Sequence, residues 1–550
     1  MIPIQTARVV DQGIATNDSD VIIRTITTMG LLVVFGMGTA SFAGAMAVRM
    51  SFFAVTDLRQ ALYEHAHSLS FGNLDRRPSG ELLTRLTSDI TKIQAGLIMG
   101  IAIISRAPFM LVGTLVAIVL LEVSLTVVAI GILPFVFVVF WFVVGRSGPM
   151  YGAVQQRLDR LNTVLQENIE GAALVKSFVR QDHQTERFAH DSDDLAYRAI
   201  RVNQLVASLA PALIGITGLG LAAVLWIGGS SVIDGALTEG TLVAFVSYMA
   251  LLSIPLTMFA FLQPMLTAAG ASMNRIEEVL NEPPYVVDQS DAQNEKHQTR
   301  PGEVRFEGVS FAYGAAENPA NEACALVDIN LHIEAGEKVA ILGATGSGKS
   351  SLAHLIPRFY DPTSGVVSVG GVPAKSQSLE KLRSSVSVAL QTPKLFSGTI
   401  ADNIRGGRLS ATDSEVVAAA TVAQAHGFIS EKARGYSALV EQGGANLSGG
   451  QRQRISIARS LAADPEILIL DDSTSAVDLT TEVAIQNALA DQGDRTVILI
   501  AQRISTALGA DSILVMDGGR LVARGTHNEL MEQSEVYREI YRSQLGEPVH

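Results

Sequence analysis

At 550 residues, 48% of them hydrophobic and only 17% charged, the chain has room for more than one domain and is too apolar for an ordinary soluble enzyme. A net charge of −13 argues against a nucleic-acid partner, which needs a basic surface. The single cysteine, Cys324, excludes an intrachain disulfide and any thiolate metal cluster and is expected to sit inertly in a reducing cytosol.

Five apolar stretches occupy the first half. Thr25–Val48, Val123–Gly145, Val202–Ile233 and Thr241–Asn274 contain no charged residue, and Gly96–Leu121 contains only Arg106. Each is long enough to cross a hydrocarbon core of roughly 30 Å at about 1.5 Å per residue, so the chain is expected to span a membrane. The loops set its orientation. Residues 49–95 carry six basic side chains and 146–201 carry eight, whereas the short links around Glu122 and Asp234 carry none. The two long loops are therefore placed in the cytosol, and their helix-like polar pattern suggests that the membrane helices continue into it. Arg106 is expected either to face a cavity or to reach for the membrane surface.

After Asn274 the sequence turns polar. The stretch NEPPYVVDQSDAQNEKHQTRPG (281–302) has the prolines and mixed charges of an exposed connector. This divides the chain into a membrane domain over 1–280, a connector over 281–301 and a second domain over 302–550. In that domain the runs VRFEGVSF, KVAILG, EILILDD and RTVILIA alternate with helical patterns and glycine turns, which predicts a three-layer α/β domain on a mostly parallel sheet.

GATGSGKS (343–350) follows the apolar strand KVAIL and precedes the helical SLAHLI. In that context Gly343, Ala344, Thr345, Gly346, Ser347 and Gly348 form a loop whose N–H groups converge on phosphate oxygens at a helix N-terminus, with Ser351 in the first helical turn. Lys349 supplies a point charge to the β and γ phosphates of ATP, and the Ser350 hydroxyl is suited to Mg²⁺. ILILDD (467–472) reads as a buried strand whose terminal Asp471 completes the metal shell facing Ser350.

LSGGQRQRISIARSLAADPEILILDD (447–472) carries a family resemblance. With GATGSGKS it resembles an ABC transporter over nearly the whole chain. The resemblance implies an α-helical transmembrane bundle followed by an ABC-type α/β P-loop ATPase domain. It makes Leu447, Ser448, Gly449, Gly450 and Gln451 the signature, Tyr313 the aromatic residue that stacks on adenine, Gln391 the Q-loop glutamine beside Mg²⁺, and Asp478 the D-loop aspartate. LDRRPSGELLTRLTSD (74–89) and ENIEGAALVKSFVRQ (167–181) are similar to the cytosolic coupling loops of exporter-type half-transporters. In such proteins two chains face head to tail and sandwich ATP, each signature completing the other chain's site. Closure turns the membrane helices outward, which is alternating access. The expected setting is a bacterial plasma membrane with the ATPase domain in the cytosol, and the expected contacts are membrane lipids and a small hydrophobic or amphipathic substrate.

Three departures from the family pattern stand out. Asp472 replaces the usual Glu base and Gln502 the usual His, so the acid is one methylene short of the attacking water and the second residue cannot become a cation. Glu441 and Gln442 precede the signature where a Gly-Glu-Arg-Gly run is more common. The chain thus resembles the subunit of a heterodimeric exporter whose own site holds MgATP and hydrolyses it slowly, while its intact signature serves the partner. Finally, MIPIQTARVVDQGI resembles the tail of a first membrane helix, so five spans replace six, the N-terminus falls outside, and the native chain is expected to begin upstream. Inward transport and ATP-gated regulation without transport are the rival functions.

Overall fold

The computed structural model describes residues 1–288, 300–314, 324–493 and 495–545, so most of the connector, 289–299, lies outside the described residues. The chain forms two compact units. One comprises Met1–Glu64 with Leu82–Asn281, the other His65–Glu81 with Glu282–His550.

In the first unit five helices are long and apolar enough to cross a membrane: Ser19–Ser68, Gly80–Leu121, Val123–Glu170, Gln181–Ile233 and Glu239–Leu280. They outrun the apolar stretches because their polar ends stay helical through pairs four residues apart, such as Gln155 to Asp159 and Gln166 to Glu170. Arg157 reaches Asp194 across the neighbouring helix at 3.0 Å. The second span is interrupted: helix ends at Ile104 and resumes at Ala107, with exposed Arg106 between. Pro108 explains the break, since its ring lacks a donor and clashes with the carbonyl four residues back, that of Ile104.

The unit's core is aliphatic and aromatic, with Ile118, Leu125, Leu213, Val224, Phe245 and Met249 buried together. One charged group is sunk nearby in its own network. Asp89, 1% exposed, accepts from Ser272 Oγ (2.9 Å), Arg275 Nε (3.0 Å) and Arg85 Nη1 (3.2 Å). At the other end, Asp11 accepts from the Gly240 amide (2.8 Å) and the Thr238 hydroxyl (2.7 Å), capping Glu239–Leu280.

The second unit contains twelve strands among the described residues: β1 Val304–Phe311, β2 Leu326–Ile333, β3 Lys338–Gly343, β4 Ser364–Val369, β5 Val372–Pro373, β6 Val386–Ala389, β7 Gly398–Thr399, β8 Leu439–Val440, β9 Ile467–Asp471, β10 Thr496–Ile500, β11 Ser512–Asp517 and β12 Arg520–Gly525. Six form one sheet in the order β12-β11-β3-β10-β9-β6, parallel except for the antiparallel edge strand β12. VRFEGVSF, read from sequence as one of the alternating runs, instead lies in a separate antiparallel sheet ordered β2-β1-β4-β5. The runs of β9 and β10 are buried along their full length, as a central parallel strand covered on both faces requires. Side chains from the two sheets and the helix Lys349–Leu355 share one core, including Val304, Phe306, Ile341, Leu352, Ile469 and Leu514. Parallel order places the C-terminal ends of β3, β9 and β10 side by side, the crevice where open α/β sheets hold ligands.

Candidate nucleotide site

β3 ends at Gly343 and the chain turns through 344–348 into the helix Lys349–Leu355. Gly346 and Gly348 have φ of 83° and 96°, left-handed values that favour glycine. A Cβ on Gly348 would lie 2.6 Å from the Ala325 carbonyl, while one on Gly346 would meet nothing within 4 Å. The loop is thus packed underneath and open above, with Ala344, Thr345 and Gly346 on the exposed lip. Lys349 Nζ folds back onto the carbonyls of Gly343 (2.9 Å) and Ala344 (2.8 Å), and Ser347 Oγ is buried with no hydrogen-bond partner among the described residues. Burial lowers the Lys349 pKa and nearby Asp471 and Asp472 oppose that shift, leaving it below the ordinary lysine range. An open cradle, a cation whose hydrogen bonds among the described residues go to its own loop, and a hydroxyl without a described partner fit a phosphate group.

Asp471 stands at the end of β9, 3% exposed, and accepts from Ser350 Oγ at 3.0 Å. A carboxylate and a hydroxyl this close form the hard oxygen pair that Mg²⁺ uses beside nucleotide phosphates. His354 also approaches Asp471, Nε2 to Oδ2 3.4 Å, a neighbour that its place in a helical pattern did not single out.

The next residue turns the chain sharply. Asp472 has φ of 47°, and its amide still reaches the Ile500 carbonyl (3.1 Å), so the β9–β10 ladder runs one bond past the strand before the backbone reverses. Asp tolerates this left-handed region better than most residues with a side chain. Its Oδ2 accepts two amides, from Gln502 Nε2 at 2.8 Å and Gln391 Nε2 at 3.2 Å. Burial raises the Asp472 pKa, the Gln391 hydrogen bond and Lys349 pull it down, and Asp471 adds to the rise, leaving it above the ordinary carboxylate range. Asp472 and Gln502, which replace the usual Glu and His, are therefore in direct contact, and both exposed glutamines converge on the same oxygen.

Tyr313, just beyond β1, shares a 2.9 Å hydrogen bond between its hydroxyl and Ser351 Oγ, and its ring meets Phe311 and Tyr360 edge-on. These rings line a cavity of about 330 Å³ whose far wall is the segment His65–Glu81 of the same unit. There the Tyr360 hydroxyl donates to Asp75, and Phe71 stacks on Phe359 with centroids 4.2 Å apart. Asp75 falls within LDRRPSGELLTRLTSD, the stretch similar to a coupling loop, but its bond to Tyr360 has no sequence signal beyond the aromatic pair after the phosphate-loop helix.

Ser448 caps the helix Gly449–Ala462: its Oγ accepts from the Gln451 amide (3.2 Å) while Gln451 Oε1 accepts from the Ser448 amide (3.1 Å). Leu447 is buried beneath, and Gly450 packs against the Ala476 carbonyl, 3.0 Å from where its Cβ would stand. Asp478 likewise caps the helix Leu479–Ala490, accepting from the Thr481 amide (2.9 Å) and hydroxyl (2.8 Å); a bond from the Thr480 hydroxyl first, and then these two, hold its pKa well below the usual range. Among the described residues no hydrogen bond joins 447–451 to 343–351.

A membrane-helix unit joined to a phosphate-loop ATPase with a separate signature helix defines the class of ATP-driven transporters. Family profiles agree: that of the ABC transporter transmembrane region matches residues 1–256 and that of the ABC transporter matches 326–475. The chain is 36% identical over 553 residues to the uncharacterized ABC transporter ATP-binding protein YfiB of Bacillus subtilis, covering 99% of this chain and 94% of that protein. It is also 36% identical over 489 residues to a Staphylococcus aureus protein named "Putative multidrug export ATP-binding/permease protein", covering 89% and 83%. A solved bacterial Atm1-family ABC exporter with ATP bound superposes with a TM-score of 0.83 at 26% identity, covering 100% of this chain and 96% of that one. The chain belongs to the ABC transporter family, as an exporter-type half-transporter. It is an integral membrane protein whose ATPase domain binds ATP and couples its hydrolysis to transport.

Proposed function

We propose that this chain is the degenerate-site half of a heterodimeric ABC exporter in a bacterial plasma membrane, moving a hydrophobic or amphipathic small molecule or lipid outward. Residues 1–280 form the transmembrane domain, 281–301 the connector and 302–550 the ATPase domain. ABC exporters function as dimers, and the signature residues 447–451 make no hydrogen bond to this chain's own phosphate loop among the described residues, which supports their service to a second chain.

The observation that carries the reading is the engagement of Asp472 Oδ2 by two amide donors. A general base must hold a free lone pair within about 3 Å of the water it deprotonates. Here Oδ2 is held by Gln391 and Gln502, so Oδ1, on a side chain one methylene short, is the oxygen left to face a water, and neither amide can take up a proton. The raised pKa of Asp472 favours basicity, but an oxygen tied at 2.8 Å and carried on the shorter side chain decides the outcome. Tyr313 stacks on the adenine, Lys349 and the 343–348 amides hold the phosphates, and Ser350, Asp471 and Gln391 hold the metal. Mg²⁺ held there would supply positive charge to offset that of the phosphates. None of these roles needs a base at 472, so ATP is held and only slowly cleaved.

The test is ATP turnover by the co-purified pair with substitutions made only in this chain. Asp472→Asn is expected to lower turnover by less than about twofold, far short of the roughly 10² to 10⁴ that removing a working base costs, whereas Ser448→Ala with a bulky replacement of Gly449 should nearly abolish it, because those residues complete the partner's site. Severe loss from Asp472→Asn, or near-normal turnover from the signature variant, contradicts the reading.

A further inference from the structure

The loop carrying Gln502 is held from outside by the last described helix, Glu535–Leu545. Gln544 Nε2 donates to the Gln502 carbonyl at 2.7 Å, and Gln544 Oε1 accepts from the Ile504 amide at 2.8 Å. Arg503, between those two groups, is extended with φ −105° and ψ 135°. In an extended chain the carbonyl of one residue and the amide two residues later point the same way, so one neighbouring peptide can pair with both. The primary amide of Gln544 takes the place of that peptide. It also supplies a missing cap: Ile504 opens the helix Ile504–Ala507, and Arg503 at its N-cap offers no side-chain acceptor.

The far side of the same loop bears on the nucleotide site, since Gln502 Nε2 lies 2.8 Å from Asp472 Oδ2. The loop is steadied laterally as well: Arg503 Nη1 lies 3.6 Å from Glu482 Oε2, and Glu482 Oε1 accepts from Thr474 (3.0 Å) and Thr506 (2.5 Å). Gln544, itself exposed and 42 residues further along the chain, thus contributes the only pair of bonds among the described residues that runs from the C-terminal helix to the Gln502 loop backbone.

We propose that Gln544 is a positioning residue of the nucleotide site, fixing the Gln502 loop so that the Gln502 amide meets Asp472 and the bound nucleotide. The proposal rests on the reading of Gln502 as part of this chain's site but not on that site being slow. The last helix is then a lever: whatever displaces it loosens ATP at a site that it does not touch.

The experiment uses the full-length pair with the partner chain's own phosphate loop inactivated. The quantity read is the dissociation rate of a radiolabelled non-hydrolysable ATP analogue with Mg²⁺. Gln544→Met keeps length and loses both hydrogen bonds, so the analogue should leave about three- to tenfold faster, as expected for one or two neutral hydrogen bonds. The same change made on Gln502→Ala should add nothing, because its effect passes through Gln502. Unchanged dissociation in Gln544→Met, or an effect that adds in full to that of Gln502→Ala as general loosening of the fold would, overturns the proposal. A non-hydrolysable analogue keeps this outcome separate from the slow-hydrolysis reading, which fails instead if this site cleaves ATP rapidly.

Discussion

Asp472→Glu restores the longer acid and puts the central argument under strain. The added methylene extends the carboxylate by about 1.5 Å, farther than the space left by amide donors at 2.8 and 3.2 Å, so the new side chain must push past Gln502 or Gln391 toward the nucleotide. Two effects compete. The left-handed backbone at 472, φ 47°, suits Asp better than Glu and costs on the order of 1 kcal/mol, a melting-point loss of about 2 to 4 °C for a domain of this size. Against that, a base within reach is worth roughly 10² to 10⁴ in rate. With Gln502 still unable to assist as a cation, the gain should fall below that range, from about tenfold up to its lower limit of about a hundredfold. The assay is single-turnover ATP cleavage by the pair with the partner's phosphate loop inactivated, so that only this chain's site contributes. No gain in Asp472→Glu, or a wild-type rate equal to that of the partner's site, refutes the argument that the short acid limits the chemistry.

Arg275→Ala strips the closest cation from Asp89, 1% exposed, leaving Arg85 and Lys92 near it; a loss of about 2 to 4 kcal/mol is expected in detergent melts, larger than for Asp89→Asn made together with Arg275→Met. Tyr360→Phe removes the hydroxyl that donates to Asp75 and should speed amide exchange in Phe71–Arg76 severalfold, with the helix Lys349–Leu355 unchanged; unchanged exchange in both would show that the bond holds nothing. Burial pushes the Glu303 and Glu337 carboxyls up, but hydrogen bonds from His332 and Arg305, and from Ser512, the Glu334 amide and Arg524, outweigh it, so both sit below the ordinary glutamate range. Groups lowered on folding stabilise above their unfolded pKa and lose that contribution as pH falls. Susceptibility of the ATPase domain to pepsin should therefore rise below about pH 4, and Glu337→Gln should flatten that rise.

What could be read from the sequence was whatever is local. The phosphate loop, the β9 carboxylate and the Ser448 cap each depend on residues a few positions apart, and the apolar spans on composition alone. The shape at Asp472 was not legible, because a left-handed residue after a strand is imposed by the β9–β10 ladder rather than by its own neighbours. Contact between Asp472 and Gln502 needed the parallel order that puts β10 next to β9. The break at Arg106 has a local signal in Pro108, two residues on, which the charge of the arginine does not itself carry. Asp75, Tyr360 and Gln544 act through bonds to residues far away in the chain, where no spacing rule applies.

The most direct test of the central claim is the identity of the nucleotide retained by the purified pair after incubation with MgATP and rapid removal of free nucleotide, compared between wild type and Lys349→Ala in this chain. The account predicts one molecule of uncleaved ATP per pair that disappears in Lys349→Ala. If the Lys349-dependent nucleotide is ADP, formed as fast as at the partner's site, this chain carries a working hydrolytic site and the account is wrong.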